Sequence, residues 1–403
     1  MQYTKGEVEC TPDSVGYDKS RIDVLNGHFQ KLVDENEIYC ATYCVSRDGK
    51  VFAHGGIGYK TYKKDPSLLV SPTDIHYIAS VTKVFTGVAI MKLVEDGITR
   101  LDVTVGEILP QFDSPPFNGI TLFHLLTHTS GMHADGGCFP NKHNQGGYWR
   151  FIKLAYEAQK KGKSNKKSGK PEKFDWIAAA LKHGVCMETD KQWMYCSFGF
   201  AILGEIIEKL TGVHAHNYIE DNICKPLGLV NTVFTTPQEN AKRWIIQNKQ
   251  VERDINKILA GKPEKREQPW SGIPSTGGGL ESTVWEMVRF GNAMLYNGTF
   301  DGVRILGKKA VEKMTDLAIS KPNFCWGSGG GLRNYGIGFD RRNGAEFVVS
   351  KTTYMHEGSG ASALYIDPEE KLVAAWISPF VDQENWCTKA MYNTLNIIWS
   401  GIM

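Results

Sequence analysis

Ser80 and Lys83 stand three residues apart in Ser80-Val81-Thr82-Lys83, where a polar stretch gives way to an apolar one. On a helix this spacing puts both side chains on one face, so the lysine amine can hydrogen-bond the serine hydroxyl and draw off its proton. That pairing predicts a nucleophilic serine. Val81, Val84, Phe85, Val88, Ala89, Ile90 and Leu93 form an apolar stripe at helical spacing, which predicts a helix from Val81 to Glu95 with a buried first turn. Burial disfavours the ammonium form of Lys83 and moves the amine toward work as a base. A serine that merely caps the helix, with Lys83 reaching solvent, explains the same two residues, so the pair needs company. The same spelling recurs from Ser164 to Lys167, inside a run from Gly162 to Pro171 with no apolar face and several like charges. It predicts a solvated loop whose lysines stay protonated.

Three other segments carry reactive side chains: Leu125-Leu126-Thr127-His128-Thr129-Ser130-Gly131-Met132, Tyr195-Cys196-Ser197, and His356-Glu357-Gly358-Ser359-Gly360. Cys196 could serve a cysteine-histidine enzyme, but adjacent residues of an extended loop point opposite ways, which turns Cys196 to the core when Tyr195 and Ser197 face a site. His124, His128 and His133 lack the acidic partner or H-E-x-x-H spacing of a metal site, and buried, hydrogen-bonded loop histidines are expected instead. No G-x-S-x-G elbow is present, against an α/β-hydrolase. No phosphate-binding glycine loop has the flanking elements it needs. No metal, nucleotide or other cofactor is implied.

Elements able to hold these side chains are legible from periodicity. Arg21 to Glu35 reads as an amphipathic helix, and Tyr39 to Ser46 and Val51 to Gly58 as a hairpin turning at Arg47-Asp48-Gly49-Lys50. From Ser80 to about Trp270 the pattern is helical, with Val105 to Leu109, Leu122 to Leu126, Trp176 to Leu181, Phe198 to Leu210 and His216 to Ile223 after the Ser80 helix. The tail returns to strands at Gly336 to Phe339, Glu346 to Ser350, Ala363 to Ile366 and Leu372 to Ser378, and closes with a helix from about Trp386 to Trp399. The expected fold class is α+β. Residues 1–79 with 275–403 would build a sheet assembled from both termini, and 80–274 a helical domain, with the site at their seam.

The 403 residues can bury a substantial core, and 41% hydrophobic with 22% charged residues is an ordinary globular balance. A net charge of +2 gives no case for nucleic acid. No apolar run reaches membrane-spanning length and the first residues lack a signal-peptide core, which points to a cytoplasmic protein. The nine cysteines contain no C-x-x-C pair. Cys40 and Cys44 share a predicted strand at roughly 13 Å, too far for a disulfide. The lysine-rich stretch from Lys160 to Lys173 predicts a solvated insertion, or a docking point for an acidic partner.

Ser80 to Lys83, then Tyr195 to Ser197, then His356 to Gly358, with the Leu125 to Gly131 segment between the first two, resemble in order the serine β-lactamase and penicillin-binding superfamily. The likeness is to its class C branch, with related DD-peptidases, D-aminopeptidases, family VIII carboxylesterases and acyltransferases. His54-Gly55-Gly56 mimics the last box out of order. Asn222 to Leu229, Gly277 to Thr283 and Gly360 to Pro368 resemble further family segments, so the likeness runs from Arg21 to Trp399.

The resemblance implies a mostly antiparallel sheet flanked by helices, with an inserted helical domain. It also implies acyl transfer through a covalent serine ester. Ser80 would attack a carbonyl, Lys83 and Tyr195 would move the proton as a coupled pair, and the Ser80 and Ser359 N-H groups would hold the oxyanion. Ser197, His356, Gly358 and Ser359 would line the substrate pocket. Two departures matter. Ser197 replaces the commoner asparagine that steadies the lysine, and His356 stands where β-lactamases carry a lysine, making a poorer anchor for a substrate carboxylate. Uncharged small esters or amides are therefore the expected substrates, with water as acyl acceptor, or an alcohol or amine in a transferase. A non-catalytic sensor on the same scaffold is the third reading, which an intact amine and phenol beside Ser80 disfavour.

Overall fold

The computed structural model describes residues 2–136, 147–163, 174–262, 272–323, 325, 331–341, 347–382 and 385–403. Both ends of the chain feed one antiparallel sheet. Strands β1 (Tyr3–Lys5), β2 (Cys40–Arg47) and β3 (Lys50–Gly58) come from the N-terminal side, and β4 (Tyr354–Gly358), β5 (Ser362–Asp367) and β6 (Leu372–Ile377) from the C-terminal side. Their order is β1-β3-β2-β6-β5-β4, so β4 ends the sheet and β2 meets β6 at the junction of the two termini, with Tyr43 opposite Trp376. The β2–β3 hairpin turns on Asp48 and Gly49, whose φ of 51° and 75° supply the left-handed pair that a two-residue hairpin turn requires.

Alternation along the strands divides the core in two. Ala41, Tyr43 and Val45 of β2, with Ala363, Tyr365, Ala374 and Trp376, pack against α1 (Ser20–Asp34) and the C-terminal helix. Cys40, Cys44, Leu364, Ile366, Val373 and Ala375 point the other way, into a cluster that also holds α2 (Thr82–Glu95), α3 (Ser197–Thr211) and α4 (Val284–Leu295). Both faces are covered, so β2, β5 and β6 are buried on both sides, including the polar side chains of Thr42, Ser46 and Ser362.

The predicted helices Leu122–Leu126 and Trp176–Leu181 form with those bounds, and the first helix and the hairpin shift by a residue. The helix expected from His216 to Ile223 divides into Ala215–Ile219 and a wider turn, Glu220–Cys224. The closing helix is shorter than expected: a wide turn over Lys389–Asn393 leads into α5 (Thr394–Trp399).

Two predicted strands do not form. Gly336 to Phe339 is a tight bend around Gly338, whose φ is 74°, with the Gly336 N-H donating to the Phe339 carbonyl at 2.8 Å. The 347–350 segment packs Phe347 and Val349 on the outer cluster without pairing, while the Ser350 N-H donates to the Asp367 carboxylate at 3.2 Å. Glu346 lies outside the described residues. Among the described residues, four α-helices were not legible: Gly147–Lys163, Lys249–Leu259, α4 and Lys308–Thr315. The first continues into the lysine-rich stretch as far as Lys163, whereas 164–173, with the second serine-lysine spelling, lies outside the described residues.

Candidate active site

Ser80 sits in a single 3-10 turn, Ala79–Val81, that feeds α2. Ala79 takes a left-handed backbone, φ 44°, immediately before the serine, an unusual conformation for a residue with a Cβ. The turn is held from three sides. Ile78 donates its N-H to the Leu280 carbonyl at 3.0 Å, Ser362 Oγ donates to the Ile78 carbonyl at 2.7 Å, and Thr82 Oγ1 accepts the Leu280 N-H at 3.1 Å. Strand β4 presses against the same turn through Gly358, where an added Cβ would lie 2.4 Å from the Ile78 carbonyl oxygen and 3.1 Å from the Ala79 Cβ. Only a glycine lets the end of β4 run this close to the turn that carries Ser80.

Lys83 is fully buried, one turn below Ser80. The stripe legible in the sequence is one side of a helix enclosed all round, with Thr82, Thr86 and Gly87 buried as well. The Lys83 Nζ lies 3.1 Å from Ser80 Oγ, 3.0 Å from Ser197 Oγ and 2.6 Å from the Gly277 carbonyl oxygen. The rings of Tyr195 and Phe200 lie 4.8 and 5.4 Å from it. Ser80, Lys83, Tyr195 and Ser197 are thus brought together around one nitrogen.

The Tyr195 loop is pinned at five successive amides. Trp193 donates to the Pro322 carbonyl at 3.0 Å, Met194 to the His128 carbonyl at 2.8 Å and Tyr195 to Cys325 Sγ at 3.4 Å. Cys196 donates to His128 Nδ1 at 3.1 Å, and Ser197 to Asp135 Oδ1 at 2.8 Å. Cys196 itself is buried in the core as a free thiol, pushed up by that burial, and faces away from the site as expected. His128 is buried with its ring 4.5 Å from that of Tyr195. Burial, then the charge of Lys83, holds it well below the usual histidine range, so a neutral ring accepts the Cys196 N-H. His124 serves locally, its Nδ1 accepting the Thr121 N-H at 3.1 Å.

His356 lies on β4, buried, with its ring 6.3 Å from that of Tyr195. Its Nδ1 is 2.7 Å from the Glu357 carbonyl and its Nε2 3.3 Å from the Tyr335 hydroxyl. Ser359 is exposed just past the strand.

Two contributors were missed by sequence reasoning. The Gly277 carbonyl accepts from Lys83 at 2.6 Å, in a segment so close to α3 that an added Cβ would come 3.1 Å from the Ser197 carbonyl oxygen; the glycine-rich segment was legible, its contact with the lysine was not. Asp135 accepts both the N-H and, at 2.5 Å, the hydroxyl of Ser197. A lone acidic residue before Gly136 reads as a turn, and no spacing rule links it to a loop sixty residues on.

The Beta-lactamase family model matches residues 25–384. The chain belongs to the Beta-lactamase family. It is 26% identical over 393 residues to a protein of Salmonella heidelberg (strain SL476) provisionally named D-alanyl-D-alanine carboxypeptidase, covering 89% of this chain and 82% of the relative. The fold is similar to EstCE1, described as a hydrolase with promiscuous acyltransferase activity, at a TM-score of 0.70 and 17% identity over 96% of this chain and 99% of that one. It is likewise similar to a family VIII carboxylesterase, at 0.69 and 14% identity over 98% and 100%. At these identities the two structures establish the antiparallel sheet and its flanking helices.

Proposed function

We propose that this Beta-lactamase family member is a serine hydrolase that acts on small esters or amides through an acyl-Ser80 intermediate. The observation that carries the reading is the fully buried Lys83 amine 3.1 Å from the Ser80 hydroxyl at the mouth of α2. Lys83 and Tyr195 relay the serine proton to the leaving group, and the Ser80 N-H with that of Ser359 receives the developing oxyanion. Ser197, His356 and Gly358 shape the pocket, Gly358 by letting β4 approach. Water then releases the acyl group. The name of the Salmonella relative and the description of the carboxylesterase support hydrolysis, and the description of EstCE1 keeps transfer to an alcohol or amine as the alternative. A cytoplasmic location is part of the same proposal, supported by eight free cysteines among the described residues. Among those residues no helix is long and apolar enough to cross a membrane.

Labelling with a fluorophosphonate, read by intact-protein and peptide mass spectrometry, tests the nucleophile. The mass should appear on Ser80 and vanish in Ser80→Ala, and a label on Ser164 or Cys196 with Ser80 free would overturn the assignment. A panel of p-nitrophenyl acyl esters, D-amino-acid amides and nitrocefin, with and without an added alcohol, tests the substrate class. Short uncharged acyl groups should turn over best. A higher kcat/KM for nitrocefin than for any short ester or amide would refute that substrate class, and acylated alcohol as the main product would select the transferase.

A further inference from the structure

We propose that Asp135 is a positioning residue of this site, which fixes Ser197 as a hydrogen-bond acceptor toward Lys83 and so directs the lysine lone pair at Ser80. The inference rests on the acyl-Ser80 reading and concerns a residue that reading does not use. Its basis is the direction of each hydrogen bond. The Asp135 carboxylate accepts the Ser197 N-H at 2.8 Å and the Ser197 hydroxyl proton at 2.5 Å, while the Asp135 N-H donates to the Tyr195 carbonyl at 2.9 Å. With its proton committed to the carboxylate, Ser197 Oγ has only lone pairs to offer Lys83 at 3.0 Å. The Gly277 carbonyl, 2.6 Å from the same nitrogen, can also only accept. A neutral Lys83 has two N-H groups and one lone pair. When the N-H groups go to Ser197 and Gly277, the lone pair faces Ser80 Oγ at 3.1 Å. The pair Asp135-Ser197 thereby reproduces, with two residues, the acceptor that an asparagine carbonyl at position 197 would supply.

Charge follows the same geometry. Asp135 faces Lys83 from the segment before Gly136, with Cys196 and Ser197 of the Tyr195 loop beside it and His128 behind that loop. Burial raises the Asp135 carboxyl, and the Lys83 charge and the two Ser197 donors offset that rise only in part. By the same attraction the carboxylate favours the charged form of Lys83, so removing its charge makes the ammonium easier to deprotonate.

The test is the pH dependence of Ser80 acylation by a fluorophosphonate, followed by intact mass in the full-length protein. Asp135→Asn keeps the shape but donates an N-H to Ser197 Oγ, reversing the polarity of the link. We expect at least a roughly tenfold slower acylation at pH 7.5 and an acid limb displaced to lower pH, because the ammonium loses its counter-charge. Ser197→Ala removes the acceptor and keeps the charge, so it should slow acylation and leave the limb in place. Ser197→Asn in the Asp135→Asn background should recover rate.

An Asp135→Asn profile that superimposes on the wild type, or falls uniformly with a fixed limb, overturns the proposal. A wild-type rate in Ser197→Ala does so even where Asp135→Asn fails to fold. Absence of Ser80 labelling in the wild type at every pH would instead remove the acyl-serine reading itself.

Discussion

Proton traffic at Ser80 depends on what surrounds one nitrogen. A buried amine ringed by oxygens and by two aromatic faces is costly to charge without partners, and the oxygens of Ser80, Ser197 and Gly277 reach Lys83 from three different segments. Lys83→Ala should therefore abolish most acylation while leaving the nucleophile in place, and Tyr195→Phe should do the same with the fold intact. A loss of about a hundredfold or more is expected for each. The double variant should be little worse than either single, since the two groups act as one unit. Near-additive losses in single-turnover acylation would separate them. At this scale the sequence was informative where reactive residues lie close in the chain or in a known order. Ser80, Lys83, Tyr195 and Ser197 were all legible and converge within hydrogen-bond or ring contact of Lys83. Asp135 was not, because its carboxylate reaches the site from a segment with no pattern of its own, and the glycine-rich segment at Gly277 was legible without any sign that its carbonyl meets Lys83.

Elements set how closely these groups can approach. Strand β4 reaches the Ser80 turn only because Gly358 has no Cβ: one built there meets Ser362 Oγ at 2.2 Å and the Ile78 carbonyl oxygen at 2.4 Å. Gly358→Ala should push β4 and Ser359 away from Ser80. A stability loss of about 1–3 kcal/mol is typical of such overpacking, and acylation should slow by more than the folded fraction accounts for. Acylation that tracks the folded fraction, measured by thermal melting and burst amplitude on the same samples, would show that β4 does not contribute to the oxyanion site.

The elements that strict periodicity marks, α1, the β2–β3 hairpin and α2, were legible to within a residue or so. The failures share a cause. Ile337 and Phe339 are apolar because they are buried in a bend, and Phe347 and Val349 because they cover an existing cluster. Burial without pairing imitates a strand in sequence. Helix α4 was hidden for the opposite reason: enclosed between the sheet and the helices, it carries apolar residues around much of its circumference and Gly291 in its middle.

Across the whole molecule, one apolar cluster joins α2 and α3 to α4 and the inner face of the sheet. The proposed division into 1–79 with 275–403 and 80–274 therefore separates two parts that share a core, so loss of packing anywhere in it should be felt throughout. Buried histidines make that loss depend on pH. His216 accepts the Ser275 N-H at 3.0 Å with its ring stacked 3.9 Å from Phe234, and burial followed by the neighbouring His214 pulls it down to about 3. His54 and His128 are also lowered, each chiefly by burial. For all three the unfolded chain takes up a proton near pH 6.5 and the folded chain does not. Their contribution to stability is complete above that pH and is lost as pH falls toward the folded values. The slope approaches about 1.4 kcal/mol per pH unit for a histidine whose folded value lies well below that point, as it does for His216.

Asp74, Asp135, Glu220 and Glu286 are raised by burial and bind protons first in the folded state, so they oppose the trend only as pH nears their own range. Urea denaturation should thus show one cooperative transition whose midpoint declines steadily from pH 7 to 5.5. Replacing His216 with glutamine, which keeps a hydrogen-bonding group and removes the titration, should lower the midpoint at pH 7 and flatten the decline below it. A midpoint independent of pH over that interval would mean that these rings charge in place, and that the core around them admits water.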